Sequence, residues 1–105
     1  MFSFSDVSAF GITDPGLRRS INEDAYLVDL TGRCLVVADG VGGAAAGEIA
    51  SGLFVSTAAR LAGGENNSSE QKALEVIRET FLQANGAILA HASEHPESQG
   101  MACTA

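Results

Sequence analysis

Two short acidic segments carry the residue types that could do chemistry. The first is Arg19-Ser20-Ile21-Asn22-Glu23-Asp24 and the second is Asp39-Gly40-Val41-Gly42-Gly43. Carboxylates gathered within a few ångströms stay ionised together only when cations neutralise them, and hard ions such as Mg²⁺ and Mn²⁺ prefer oxygen donors. A guanidinium four residues before Glu23 adds a forked donor suited to a phosphate dianion. Gly40, Gly42 and Gly43 let the backbone turn tightly, so a carbonyl at Gly40 could join the Asp39 carboxylate on a metal. Together these are the parts of a metal-assisted phosphoryl hydrolase, in which paired ions about 3.5–4 Å apart activate a water. Taken singly, Arg19 with Asp24 could equally be a surface ion pair worth about 0–1 kcal/mol, and Asp39-Gly40 a turn. The residues alone leave both readings open.

Elements must then bring the two segments together. Residues 4–13 alternate loosely and are expected to form a strand, broken by the turn Asp14-Pro15-Gly16. A second strand is expected over 25–30, and Thr31-Gly32 reads as its hairpin connection. Residues 34–38 form a continuous apolar run, which suggests a strand buried on both faces. If the last two strands pair as a hairpin, Glu23 and Asp24 lie beside Asp39. Gly40 to Gly43 reads as a loop. Residues 44–61 then suggest a helix with Ile49, Leu53, Ser56 or Thr57, and Leu61 on its packing face. A Gly/Asn/Ser-rich loop spans 63–69. A second helix should open with the capping box Ser68-x-x-Gln71. Its stripe Leu74, Ile77, Phe81, Ala84 and Ile88 is expected to be core. This helix should lie antiparallel to the first, both covering the sheet. His91 and His95, four apart, have the spacing of a zinc pair. They lack a neighbouring third ligand in the sequence and are read as structural.

The 105 residues suggest one domain at most, over 1–105. Apolar residues make up 46% and charged residues 18%, which indicates a globular chain. A net charge of -7 with six scattered basic residues argues against nucleic acid and against an anionic membrane surface. No apolar run is long enough to span a bilayer, and the start of the chain does not read as a secretory signal. Cys34 and Cys103 are expected to be reduced thiols, with a cytoplasmic location.

Three motifs resemble the metal-dependent protein phosphatase family (protein phosphatase type 2C, PPM), bacterial type. They are Gly16-x-x-Arg19-x-x-Asn22-Glu23-Asp24-Ala25, then Val36-Val37-Ala38-Asp39-Gly40-Val41-Gly42-Gly43 with Gly47-Glu48-x-Ala50-Ser51, and finally Gly100-Met101-Ala102-Cys103-Thr104-Ala105. The resemblance covers essentially the whole chain and matches the N-terminal part of the family's domain. It implies an α+β fold, an antiparallel β-sandwich with flanking antiparallel helix pairs, of which this chain holds an incomplete portion. It implies a protein serine/threonine phosphatase that hydrolyses phosphoserine and phosphothreonine with a metal-activated water, in signal transduction. Asp39 would bridge two Mn²⁺ or Mg²⁺ ions, the Gly40 carbonyl and Glu23 would ligate one of them, Asp24 would orient the waters, and Arg19 would hold the phosphate. Two further metal-binding aspartates of the family have no match before Ala105. Val41 stands where some relatives carry a histidine. The chain alone is therefore expected to show weak or no activity and to self-associate through unfinished sheet edges or fold incompletely. Two rival readings are a dinucleotide-binding enzyme, from Gly40-x-Gly42-x-x-Ala45, and a catalytically silent phosphatase-like module that binds a partner. Asp39 beside a pyrophosphate counts against the first. The retained Arg19, Glu23, Asp24 and Asp39 count against the second.

Overall fold

The computed structural model of the chain describes residues 8–30, 33–43, 45–63 and 69–105. Strand β1 (Asp24–Asp29) pairs antiparallel with β2 (Cys34–Val41), from Asp24 opposite Asp39 to Asp29 opposite Cys34. Helix α1 (Ala46–Gly63) and helix α2 (Glu70–Glu94) follow. A 3₁₀ turn (Pro96–Ser98) then leads to strand β3 (Ala102–Thr104), which pairs antiparallel with the end of β2. The fold is α+β, with a three-stranded antiparallel sheet in the order β1-β2-β3 and a helix pair on one face.

Strand β2 shows why the sheet has two unlike faces. Side chains alternate along a strand, so Cys34, Val36, Ala38 and Gly40 point one way and Leu35, Val37, Asp39 and Val41 the other. Ala38 is fully buried under the helices, whereas Val37 is 73% and Val41 57% exposed on the outer face. The expected burial on both faces is thus corrected: the helices cover the inner face, whereas the outer face is met by residues 9–11 at Tyr26 and leaves Val37 and Val41 exposed. A continuous apolar run cannot distinguish the two cases. The strand also continues through Asp39 and Gly40 to Val41, so the glycine loop begins later than expected. Residues 8–13 form no strand. The segment runs against β1 with Gly11 on the Tyr26 ring, where a side chain would overlap the ring. Alternation alone does not supply a backbone partner. Residues 4–7 and the Thr31-Gly32 connection lie outside the described residues.

Helix α1 buries Ala46, Gly47, Ala50, Ser51, Phe54, Thr57, Ala58 and Ala62. Ile49, Leu53 and Leu61, expected at the centre of the face, are half-buried at its flank. The helix is pressed between the sheet and α2, and close approach selects small residues over large ones. Phe54 is the one large side chain buried there. Its ring meets Phe81 of α2 edge-on, with centroids 4.9 Å apart and planes at 65°. The helices run antiparallel: Arg60 Nη2 donates to Gln83 Oε1 at 2.5 Å, and Ile88 joins Ala46 and Ala50 at the other end.

Ser69 caps α2, its hydroxyl accepting from the Lys72 N–H at 3.1 Å. The expected cap Ser68 lies outside the described residues. The expected core stripe holds only in its second half. Ala84 and Ile88 are buried, but Leu74, Ile77 and Phe81 are about half exposed because α2 packs chiefly on α1 and reaches the sheet through Ala84 near Ala38 and Ile88 near Cys103. At the far end Gly100 takes a left-handed conformation (φ 83) and turns the chain into β3, while Met101 anchors it in the core with Ala46, Ala50 and Ile88.

Phe54→Ala removes the ring that joins sheet, α1 and α2. It is expected to lower stability by about 3 kcal/mol or more, read from urea unfolding followed by circular dichroism. The thiols offer a second check. Burial pushes Cys34 and Cys103 above the ordinary thiol value of 9.0, and the Asp29 charge pushes Cys34 further. The protonated thiols therefore favour the fold. This contribution is present below about pH 9 and is lost as pH rises through the folded-state values. At pH 8 both should react more slowly with a disulfide reagent in the folded chain than in urea.

Candidate metal and phosphate site

The site is built where β1 begins and β2 ends. The Gly40 N–H donates to the Glu23 carbonyl at 3.1 Å, so Glu23 and Gly40 occupy a hydrogen-bonded position of the ladder. The next pair, Asp24 and Asp39, is then a non-hydrogen-bonded pair, the kind in which opposing side chains come closest. Both point to the outer face. Thr104 of β3 stands opposite Asp39 on its other side, giving a row Asp24, Asp39, Thr104 across three strands. Like charges directly opposed destabilise a sheet.

Asp24 is fixed locally as well. Its N–H donates to Asn22 Oδ1 at 3.0 Å, and Asn22 Nδ2 donates to Thr13 Oγ1 at 2.7 Å. The turn before it is closed by Gly16 N–H donating to Asp14 Oδ1 at 2.7 Å, with Gly16 at φ 81. Arg19 follows from this turn. It lines a small concavity with Asp14, Asn22, Glu23 and Asp24, and also a larger open cleft of about 690 Å³ with Arg18, Glu23, Asp39 and Gly40. The structure thus brings Arg19 beside both acidic segments.

Glu23 takes a different course from its neighbour. Alternation turns it toward the inner face, where its carboxylate lies against Gly47 in the first turn of α1 and Oε2 is buried without a hydrogen-bond partner. Three carboxylates side by side are therefore not what the backbone gives. Among the described residues, no group of three His, Cys, Asp or Glu converges closely enough to hold an ion. The donors still fit a hard divalent cation in kind: an opposed pair of carboxylates, and a third carboxylate with an unsatisfied buried oxygen close behind. His91 and His95 lie elsewhere, at the end of α2. Their rings stack 4.0 Å apart, and the His95 N–H donates to the His91 carbonyl.

Two residues quoted in the second motif but given no role from sequence prove central to the geometry. Ser51 donates its hydroxyl to the Glu23 carbonyl at 2.7 Å, with the Glu48 carbonyl as a second acceptor at 3.2 Å. Gly47 brings α1 into backbone contact with β2: a Cβ on Gly40 would overlap the Gly47 carbonyl, and one on Gly47 would overlap the Glu23 carboxylate. The spacing Gly47-x-x-x-Ser51, one turn of helix, was the available signal.

The family model for protein phosphatase 2C matches residues 18–105. The chain belongs to that family. The serine/threonine protein phosphatase PstP of Mycobacterium tuberculosis, from strains CDC 1551 / Oshkosh and ATCC 25618 / H37Rv, is 37% identical over 92 residues, which are 88% of this chain and 17% of the relative. A crystal structure of the M. tuberculosis serine/threonine phosphatase PstP/Ppp superposes with TM-score 0.77 at 35% identity, covering 87% of this chain and 37% of that one. A structure of the PstP catalytic domain in complex with two manganese ions gives TM-score 0.77 at 36% identity, with the same coverage. The chain thus spans about one-sixth of the length of these curated relatives.

For this protein phosphatase 2C family chain, α1 offers a paired test. Replacing a helical glycine by alanine ordinarily stabilises by about 0.5–1 kcal/mol. Gly52, with open space around its Cβ position, should follow that rule. At Gly47 a Cβ would meet the Gly40 backbone carbon at 2.8 Å as well as the Glu23 carboxylate, which should outweigh it, and Gly47→Ala is expected to lose about 1–3 kcal/mol. Opposite signs on one helix, read from thermal unfolding of the two variants, would establish the contact.

Proposed function

We propose that this chain is the metal- and phosphate-binding portion of a protein serine/threonine phosphatase, acting on phosphoserine and phosphothreonine in proteins. The observation that carries the reading is the opposed Asp24–Asp39 pair at a non-hydrogen-bonded position, with Arg19 lining the cleft beside it. Asp39 and Asp24, the Gly40 carbonyl and Glu23 would hold Mn²⁺ or Mg²⁺, as the two manganese ions of the PstP catalytic domain suggest. Such ions, when bound, supply an activated water and neutralise charge on the phosphoryl oxygens. The chain's own residues do the rest. Arg19 orients the phosphate dianion with a forked pair of donors. Asp24 and Asp39 keep their spacing because both stand on paired strands rather than on loops.

The described residues supply only part of an ion's donor shell, so weak or absent turnover by the chain alone is part of this reading. Self-association belongs to it as well. The outer face exposes Tyr26, Leu35, Val37 and Val41, and among the described residues β3 pairs only with residues 39–41 of β2. That exposed apolar face also favours the second reading, a phosphatase-like module that binds a partner without turnover. The two free thiols accord with a reducing, cytoplasmic location.

The deciding experiment is Mn²⁺-dependent hydrolysis of p-nitrophenyl phosphate by the chain, with Asp39→Asn as control. The expected result is Mn²⁺ binding lost in the variant, with any hydrolysis lost alongside it. Hydrolysis that persists without Mn²⁺, or binding untouched in Asp39→Asn, would refute the assignment.

A further inference from the structure

We propose that Ser51 is a positioning residue for the carboxylate pair, the latch that ties the start of β1 to helix α1. Ser51 is fully buried, and the Glu23 carbonyl it reaches also receives the Gly40 N–H. One carbonyl oxygen thus joins three elements: β1 through Glu23, β2 through Gly40 and α1 through Ser51. Glu23 directly precedes Asp24, and Gly40 directly follows Asp39. Whatever fixes Glu23 to Gly40 therefore fixes the distance between the two opposed carboxylates.

The location makes the hydroxyl necessary. The Glu23–Gly40 bond is the last contact before β1, an edge strand, gives way to the irregular chain ahead of it, where its pairing with β2 frays most readily. Asp24 and Asp39 repel each other at just that end. The Ser51 bond opposes the repulsion from the covered side of the sheet, where water does not compete. The other buried hydroxyls on the helices behave differently. Thr57 and Thr80 each donate to the carbonyl four residues back in their own helix, at 2.7 Å, and tie no second element.

The contrast between Ser51 and Thr57 supplies the test, made on the full chain by NMR without metal. In Ser51→Ala the cross-strand Hα–Hα contact between Asp24 and Asp39 should be lost, and the Gly40 amide should exchange about tenfold faster, the size of one net hydrogen bond. In Thr57→Ala, which also loses a buried hydroxyl, both should match the wild type. Ser51→Cys, which keeps the size with a weaker donor, should fall between and serves if the alanine variant does not fold. The metal arm rests on the function proposed above: Mn²⁺ affinity, followed by the electron paramagnetic resonance of free Mn²⁺, should fall about tenfold in Ser51→Ala and not in Thr57→Ala. Wild-type contact and exchange in Ser51→Ala would overturn the latch. A lost contact with unchanged Mn²⁺ affinity would overturn the positioning role. A wild-type chain that binds no Mn²⁺ would overturn the functional reading instead, and the metal-free comparison would still decide the latch.

Discussion

The structure depends on a backbone-to-backbone approach between strand β2 and helix α1. At Gly40 and Gly47 neither side has room for a Cβ. That approach brings the first turn of α1 over the end of the sheet, and everything at the site follows from it. It puts Ser51 within reach of the Glu23 carbonyl, lays the Glu23 carboxylate against the helix, and lets Met101 close the core beneath Ala46 and Ala50. A methyl group at either glycine would force the two elements apart.

The second constraint is electrostatic. A sheet would not place Asp24 opposite Asp39 for stability, because cross-strand like charges repel. The surrounding bonds hold the pair in spite of this: Asn22 on the Asp24 amide, Gly40 on the Glu23 carbonyl, Ser51 behind both. Local cost held by surrounding structure is the mark of a site rather than of a scaffold.

Much of this was legible in the sequence because it rests on short-range rules. The hairpin of β1 and β2 follows from two apolar runs and a short connection, and it brings Asp24 beside Asp39 with no knowledge of the helices. Alternation also says that Glu23 must face away from Asp24, a point lost when the three acids are treated as one cluster. Other features depend on what lies next to them. The α1 face was expected at Ile49 and Leu53 because hydrophobicity ranks them above alanine, but a helix squeezed between two layers selects Ala50, Ser51 and Ala58. The stripe of α2 has the right period, yet period does not say whether a neighbour is present to cover Leu74 and Ile77. Ser51 read as one more small residue on a helix, since its partner is 28 positions away in sequence.

The taper of the layer between β2 and α1 has a mechanical consequence. At Gly40 the helix backbone rests on the strand, while further along, around Ala38 and Val36, the Phe54 ring stands between them. The helix is therefore inclined to the sheet, like a lever whose fulcrum is the glycine contact. The layer is thinnest where Glu23, Gly40 and Ser51 meet, so the separation of the carboxylates is set by backbone contact there and not by side chains that could repack.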